Sequence, residues 1–556
     1  MNYQKIMLVA INSQFVHSNL AIRYLKKACE VNNINIEMRE FTINQRVESV
    51  VRDIYETGSK LICFSAYIWN IEFIHKAIET LKAIDENMTI LCGGPEVSFD
   101  SKECLLNSRI DFIIEGEGEE TFLDFLRSFP DKDEIKKIRG IYSKFDGTIF
   151  YAGKRPPLKM EDMNFPYDEG DNLENKILYY ESSRGCPFKC SYCLSSISNE
   201  VRFRDVEIVK EELKYFIDKK VKLVKFVDRT FNCNSKFSYE IWKFLLDIYH
   251  KIKFETSFHF EISADLFTRR ELILLKRAPR GLFQFEIGVQ STNIDVIKKI
   301  NRKMDFIKLK NNVKYLKDNT SINIHLDLIA GLPMEDKASF INSFNEVYAL
   351  MPNQLQLGFL KIIKGSPISF EKEKWGIKHN PSPPYEILSN DFIDFNDILE
   401  FKMVEEVLDK YYNSGKFDLV LKFLNTKFST PYEMYFSLAS YLKDEGMFQR
   451  SISNEDYYRA LHKFAKFKFK DESEIVKDLI RFQYLFYDKK KRDILFELDS
   501  HLSDDMVKIR KNVGNDYFVS KFTTDIMSFI HEGKIIKGDF IICFNKNNRE
   551  NIIQLW

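Results

Sequence analysis

Apolar positions in residues 5–129 alternate between short continuous runs and longer stretches with a helical repeat. The runs at 5–12, 34–41, 61–67, 88–94 and 112–115 have strand length, while 19–31 and 70–84 carry one apolar face at helical spacing. Five strands with helical crossovers predict a doubly wound parallel sheet, which binds ligands outside the carboxyl ends of its strands. Residues 138–175 break the pattern. A hairpin-like pair around Asp146-Gly147, then Pro156-Pro157 and Phe165-Pro166, predicts a linker. Alternation resumes at Ile177, with strands at 177–183, 223–228, 257–263, 283–289, 323–329 and 355–361. Intervening helices are clearest at 206–219, 236–250, 306–317 and 337–350. Six such units predict an open, partial (β/α)6 barrel with its reacting groups at the strand carboxyl ends. Beyond about residue 369 the chain reads as helical and rich in Phe, Tyr and Lys, as at 403–412 and 417–424; 537–545 reads as a strand or two. The aromatics there fall at helical spacing and read as core. The expected fold class is therefore α/β, with domains at 1–130, 176–368 and a mainly helical 369–556, and a linker at 131–175. No internal repeats or low-complexity tracts interrupt this order.

Composition narrows the function classes. Lys+Arg and Asp+Glu both number 82, so no bulk electrostatic footprint for nucleic acid is expected. The run Lys489-Lys490-Lys491-Arg492 is short and isolated and reads as a solvated turn. Of nine cysteines, Cys29, Cys63, Cys92, Cys104, Cys233 and Cys543 are scattered; Cys63, Cys92, Cys104 and Cys543 lie in apolar runs and read as small buried hydrophobes. That usage fits a reducing cytoplasm and not a disulfide framework. No signal-peptide h-region follows Met1, and no apolar stretch approaches membrane-spanning length.

The chemistry centres on Ser182-Ser183-Arg184-Gly185-Cys186-Pro187-Phe188-Lys189-Cys190-Ser191-Tyr192-Cys193, directly after a strand-like run. Three thiolates at C-x3-C-x2-C can hold three irons of a cubane cluster, leaving a fourth open to substrate or cofactor. Open coordination marks catalytic metal sites. A zinc site is the weaker alternative, because zinc loops usually pair C-x2-C with a second distant pair and none is visible.

This loop resembles the signature of radical S-adenosylmethionine (SAM) enzymes, including the aromatic Tyr192 before the last cysteine. The resemblance implies that Cys186, Cys190 and Cys193 ligate a [4Fe-4S] cluster whose open iron chelates SAM. An electron from the cluster then yields a 5′-deoxyadenosyl radical, and the reductant implied is a flavodoxin- or ferredoxin-type donor. The strand ends of the first domain carry Ser65-Ala66-Tyr67, Gly93-Gly94-Pro95-Glu96 and Glu115-Gly116-Glu117-Gly118-Glu119. Each alone is an ordinary strand-to-helix turn. Ahead of a radical SAM loop, they resemble the cobalamin-binding domain of cobalamin-dependent radical SAM proteins, which implies cofactor contacts from Ser65, Gly93 to Glu96 and Gly116 to Glu119. One departure stands out. The Asp-x-His-x-x-Gly motif that supplies a lower axial histidine is missing from Asn12 to Asn19, and His17 does not stand in its place. Cobalt without a protein histidine, or a domain that has lost the cofactor, is implied.

In the second domain Asp228-Arg229-Thr230 stands where the family grips the SAM amino group, with Asp228 replacing the familiar Gly-Gly-Glu. Glu261 and Ser263 suit the ribose or carboxylate, and Glu286, Gly288, Gln290 and Ser291 line the next strand end. Asp327, in His325-Leu326-Asp327-Leu328-Ile329-Ala330-Gly331-Leu332-Pro333, also has family parallels. Inward-facing charged residues are rare without partners, so these acids read either as ligand contacts or as structurally paired acids. The C-terminal part resembles the uncharacterised DUF4080-like extension of one subgroup and is expected to close the barrel mouth.

A radical generator beside cobalamin implies methylation of an unactivated carbon of an unidentified substrate. The cofactors carry the hard chemistry, so no acid–base catalytic residue is assigned. A cobalamin-type oxidoreductase or cyclase keeps the same parts without methyl transfer. A non-catalytic cluster or cobalamin sensor is a further alternative. A transfer-RNA methylthiotransferase is disfavoured by the lack of a second cluster-forming cysteine set and by charge neutrality.

Overall fold

A computed structural model describes residues 5–198, 200–449, 452–487, 495, 504–514, 516–548 and 551–555. The basic run Lys489 to Arg492 lies outside the described residues. Two compact units emerge: residues through Asp336 together with Gly358–Asp394, and Lys337–Leu357 together with residues from Phe395 onward.

The first unit opens with β1 (Ile6–Asn12), β2 (Glu37–Thr42), β3 (Leu61–Ser65), β4 (Thr89–Gly93) and β5 (Phe112–Ile114), in spatial order β2-β1-β3-β4-β5 and parallel throughout. Every residue of β1 is buried, as expected of a strand covered on both faces. Val50, Ile54, Ile74 and Ile78 cover one face of the sheet, and Ile22, Cys29, Phe122 and Phe125 cover the other. The order reverses at β1, which places the switch-point crevice at the ends of β1 and β3. The hairpin expected at Asp146-Gly147 forms as β6 (Ile141–Phe145) and β7 (Thr148–Tyr151). It is not a free linker: both strands extend the sheet antiparallel beyond β5.

The barrel sheet follows, with β8 (Ile177–Tyr180), then a two-residue ribbon of β9 (Ser183–Arg184) and β10 (Arg202–Phe203). It continues with β11 (Leu223–Phe226), β12 (Ser257–Ile262), β13 (Phe283–Gln290), β14 (Asn323–Ala330) and β15 (Gln354–Phe359). Its order is β8-β11-β12-β13-β14-β15, parallel from β8 to β14. β13 alternates buried apolar Phe283, Phe285 and Ile287 with half-buried Gln284, Glu286 and Gly288, and β14 repeats the alternation. The apolar face packs under helices through Trp242, Phe260 and Phe285. The polar face therefore lines the lumen. A short antiparallel ribbon, β16 (Lys378–His379) and β17 (Ile387–Ser389), completes this unit.

The second unit is helical, as expected, apart from a three-stranded antiparallel sheet of β18 (Tyr517–Thr524), β19 (Lys537–Asn545) and β20 (Ile552–Leu555). The helix Lys337–Tyr348, which alternation assigns to the barrel, groups here. Its Phe340, Phe344 and Tyr348 pack against Phe401, Tyr432 and Tyr435. Cys63, Cys92 and Cys543 are buried as expected, whereas Cys104 is only half-buried. Among the described residues, no helix is long and apolar enough to cross a membrane.

Candidate functional site

The cysteine loop leaves β8 and turns at Gly185, whose φ is +102°. A Cβ there would sit 2.1 Å from the Glu200 carbonyl oxygen, so only glycine fits. Cys186 and Cys190 are buried and Cys193 is half-buried. The Cys186 sulfur lies 3.7 Å from Thr230 Oγ1. Among the described residues, the three sulfurs do not fall within 4.8 Å of one another. Arg302, which the sequence did not single out, closes the site. Its Nη1 points at Cys190 Sγ (3.7 Å) and donates to Tyr192 Oη (3.1 Å), while Nη2 donates to the Gly288 carbonyl (2.5 Å). Burial pushes the Cys190 thiol up and Arg302 draws it back.

Asp228 lies at the end of β11, but its carboxylate faces the loop. It accepts from Ser182 N (3.0 Å), Ser182 Oγ (2.6 Å) and Ser183 Oγ (2.5 Å). Burial pushes its carboxyl up to about 6, against those hydrogen bonds. Its observed contacts thus hold the start of the cysteine loop. Ser263 is likewise engaged: its hydroxyl donates to Asp265 (2.6 Å), and its backbone pairs with the Asn232 amide. Arg229 is exposed and acts on the carboxylate of Glu261.

Glu261, Glu286 and Asp327 line the lumen. Burial, with Glu286 and Asp228 nearby, pushes Glu261 up to about 7 against the pull of Arg229. Burial and the charges of Glu286 and Glu261 raise Asp327 well above the carboxylate range, and its Oδ1 has no hydrogen-bond partner among the described residues. Glu286 is held low by His259. Gln290 has φ +72°, and its amide nitrogen lies over Gly288, filling the space of a missing Cβ. Periodicity revealed the strands but not His259, His325 or Lys225, which share this inner face with Glu286. An i, i+2 count along each strand would have found them.

At the switch point, amides stitch the two strand ends together. Asn19 Nδ2 donates to Ser65 Oγ (3.1 Å), and Asn70 Nδ2 donates to the carbonyls of Ile11 (2.9 Å) and Ser65 (3.0 Å). Gly94 has φ +114°, and a Cβ would meet the Ala66 carbonyl oxygen at 2.4 Å. Gly93 ends β4, and Pro95 opens the short helix that follows. Glu96 is buried, accepts from the Tyr385 hydroxyl and lies 3.6 Å from Lys364. In the second turn Gly116, with φ +78°, has open space where a Cβ would stand, and Gly118 caps the next helix. Glu117 takes Arg202 and the Leu158 N–H (2.8 Å), and lies 3.3 Å from Arg184. Glu119 takes Arg184 at 2.5 Å, and Glu181 holds the same guanidinium at 2.8 Å. The acids of both turns thus face protein; of the turn glycines, Gly116 has open space beside it, Gly93 and Gly118 lie in side-chain contact, and Gly94 packs on the Ala66 backbone. Beside them Tyr67 stacks on the half-exposed Trp69 at 4.4 Å. His17 Nδ1 is engaged by the Tyr179 hydroxyl at 2.7 Å.

Three family models match in chain order: B12 binding domain over residues 6–126, Radical SAM superfamily over 180–347, and a protein of unknown function, DUF4080, over 373–551. The chain is 26% identical over 367 residues to the cobalamin-dependent radical SAM methyltransferase TokK of Streptomyces tokunonensis, covering 58% of this chain and 50% of TokK. It is 32% identical over 176 residues to an uncharacterized methyltransferase of Pyrococcus horikoshii, covering 29% of this chain and 37% of that protein. The match thus spans half or less of either relative's length. In fold it resembles the cobalamin-dependent SAM radical enzyme OxsB, with a TM-score of 0.61 at 13% identity, over 92% of this chain and 84% of that one. The cysteine loop, the two strand-end edges and these three matches lead to one assignment: the chain carries a radical SAM superfamily domain, with a B12 binding domain before it and a DUF4080 region after it.

Proposed function

We propose that this chain is a cobalamin-dependent radical SAM enzyme that methylates an unactivated carbon of a substrate yet to be identified. Cys186, Cys190 and Cys193 would hold a [4Fe-4S] cluster, and the strand-end turns at Gly93-Gly94 and at the open Gly116, with Tyr67 and Trp69, would receive cobalamin. When bound, the cluster supplies the electron that cleaves SAM to a 5′-deoxyadenosyl radical, and cobalamin supplies the transferable methyl group. The chain's own residues position and shield. Arg302 sets a permanent positive charge beside Cys190 and favours its thiolate, while Asp228 fixes the entry to the loop. Glu261 and Asp327 would take polar groups of SAM or substrate in the lumen, and no residue is assigned as a general acid or base. The reductant proposed is a flavodoxin- or ferredoxin-type protein. Domain bounds of 1–130, 131–175, 176–368 and 369–556 go with this reading.

The observation that carries it is Arg184. This residue of the cysteine loop is bound by Glu119 and Glu117 of a strand-end turn in the B12-type domain, so the loop and that edge are direct neighbours. The test is anaerobic reconstitution with iron, sulfide and hydroxocobalamin, followed by SAM and dithionite. Bound cobalamin with deoxyadenosine formation that is lost in Cys190→Ala is expected. Deoxyadenosine formation without cobalamin uptake would remove the methyltransferase reading, and undiminished formation in Cys190→Ala would remove the cluster assignment.

A further inference from the structure

Inside the barrel three side chains converge to which the proposed function gives no role. His259, Glu286 and His325 stand on β12, β13 and β14, three adjacent strands. Glu286 and His325 are register partners, and His259 lies opposite Gln284, two residues before Glu286. His259 and His325 precede Glu261 and Asp327 by two residues on the same strand faces, hence one layer deeper in the lumen. One nitrogen of each imidazole and one carboxylate oxygen all lie within 4.8 Å of one another. His259 Nε2 is 3.0 Å from Glu286 Oε2, and the two rings are 6.1 Å apart at 59°.

His259 adds the second observation. It is 3% exposed, and neither ring nitrogen has a hydrogen-bond partner among the described residues. Its Nε2 lies within ion-pair distance of Glu286, which leaves Nδ1 as the nitrogen with neither an ion-pair nor a hydrogen-bond partner among the described residues. A buried imidazole normally satisfies its nitrogens, so this side chain is missing something at Nε2 or Nδ1. Two imidazoles and one carboxylate grouped on one side form a donor set for divalent first-row transition metals, with the remaining positions left open. We propose that His259, Glu286 and His325 form such a metal site in the barrel, distinct from the cluster cysteines.

One group opposes it. Lys225 on β11 is felt electrostatically by both Glu286 and His325, and an ammonium repels a metal cation. The proposal therefore carries a sign. Lys225→Met should tighten metal binding, while His259→Gln and Glu286→Gln should weaken it by about a hundredfold or more, since losing even an outer-shell partner of a metal ligand costs about ten- to a hundredfold.

The test uses full-length protein with its cysteines already loaded by anaerobic iron–sulfide reconstitution, then exposed to Zn2+ and desalted. About one zinc per chain is expected at unchanged iron content, with a nitrogen and oxygen shell at about 2.0–2.1 Å in the zinc absorption edge. Because that spectrum is taken on the unmodified protein, misfolding of a variant cannot obscure it. A sulfur shell at about 2.3 Å would place the ion on cysteines and overturn the proposal. So would zinc retention in folded His325→Gln or Glu286→Gln equal to that of the parent, or no retention in the parent. Neither result depends on cobalamin or on methyl transfer, so the site can fail while the enzyme class stands.

Discussion

Arg184→Met tests how the cysteine loop is held. The guanidinium meets Glu119 at 2.5 Å, Glu181 at 2.8 Å and Glu117 at 3.3 Å, and lies over the Tyr24 ring at 5.4 Å. Only 12% of its side chain is exposed, and Glu119 and Glu181 are covered almost as well. A unit pair at 4 Å is worth about 4 kcal/mol at an effective dielectric near 20, and desolvation offsets much of it. Removing one partner leaves the others buried and uncompensated, which costs about 3–5 kcal/mol; partial exposure here puts the expectation near 3 kcal/mol. Glu117 keeps Arg202, so most of the deficit should fall on Glu119 and Glu181. The assay is a double-mutant cycle of Arg184→Met with Glu119→Gln, read from the urea transition of the first unit. A coupling energy of about 2 kcal/mol is expected. The pH dependence has a definite sign. Burial raises the Glu181 carboxyl and Arg184 draws it back, so without Arg184 the folded state keeps a proton that the unfolded state releases. The deficit should therefore be small near pH 5 and grow toward pH 8. A coupling below about 0.5 kcal/mol, within the scatter of independent sites, or a deficit equal at both pH values, would refute the reasoning.

Two further outcomes follow from the same geometry. Gly94→Ala places a Cβ 2.4 Å from the Ala66 carbonyl at positive φ, so it should cost more than about 2 kcal/mol and impair hydroxocobalamin uptake. Gly116→Ala, with open space at its own positive φ, should cost only about 1 kcal/mol; equal melting shifts in the two variants would contradict the steric argument. For Glu261, raised to about 7 by burial, the stabilisation is present below its unfolded value and lost as pH rises through 7. Parent stability should thus fall relative to Glu261→Gln by up to about 2.5 kcal/mol between pH 5 and pH 8 in urea titrations, and a parallel pH course would show that Glu261 is solvated.

Local pattern alone located the parallel sheets, the cysteine loop and the change to a helical C-terminal part. A strand covered on both faces must be continuously apolar, one lining a lumen must alternate, and three thiolates on one loop need no distant partner to be noticed. These are constraints within a few residues of chain. The strands β18 and β20 escaped because half-exposed edge strands carry a weak pattern. Residues 141–151 read as linker because only pairing with β5 makes them sheet. Which acids meet which partners was not legible at all. Glu96, Glu117, Glu119 and Asp228 stand at strand ends as a cofactor motif would place them, yet each turns to residues far along the chain: Tyr385, Arg202, Arg184 and Ser182. Arg302 reaches Cys190 across 112 residues, and His259 meets Glu286 only because β12 and β13 pair in one register. Sequence fixes what a residue can donate or accept and, through periodicity, which face it occupies. The partner it finds there depends on strand order and register, and these are set by packing of the whole unit.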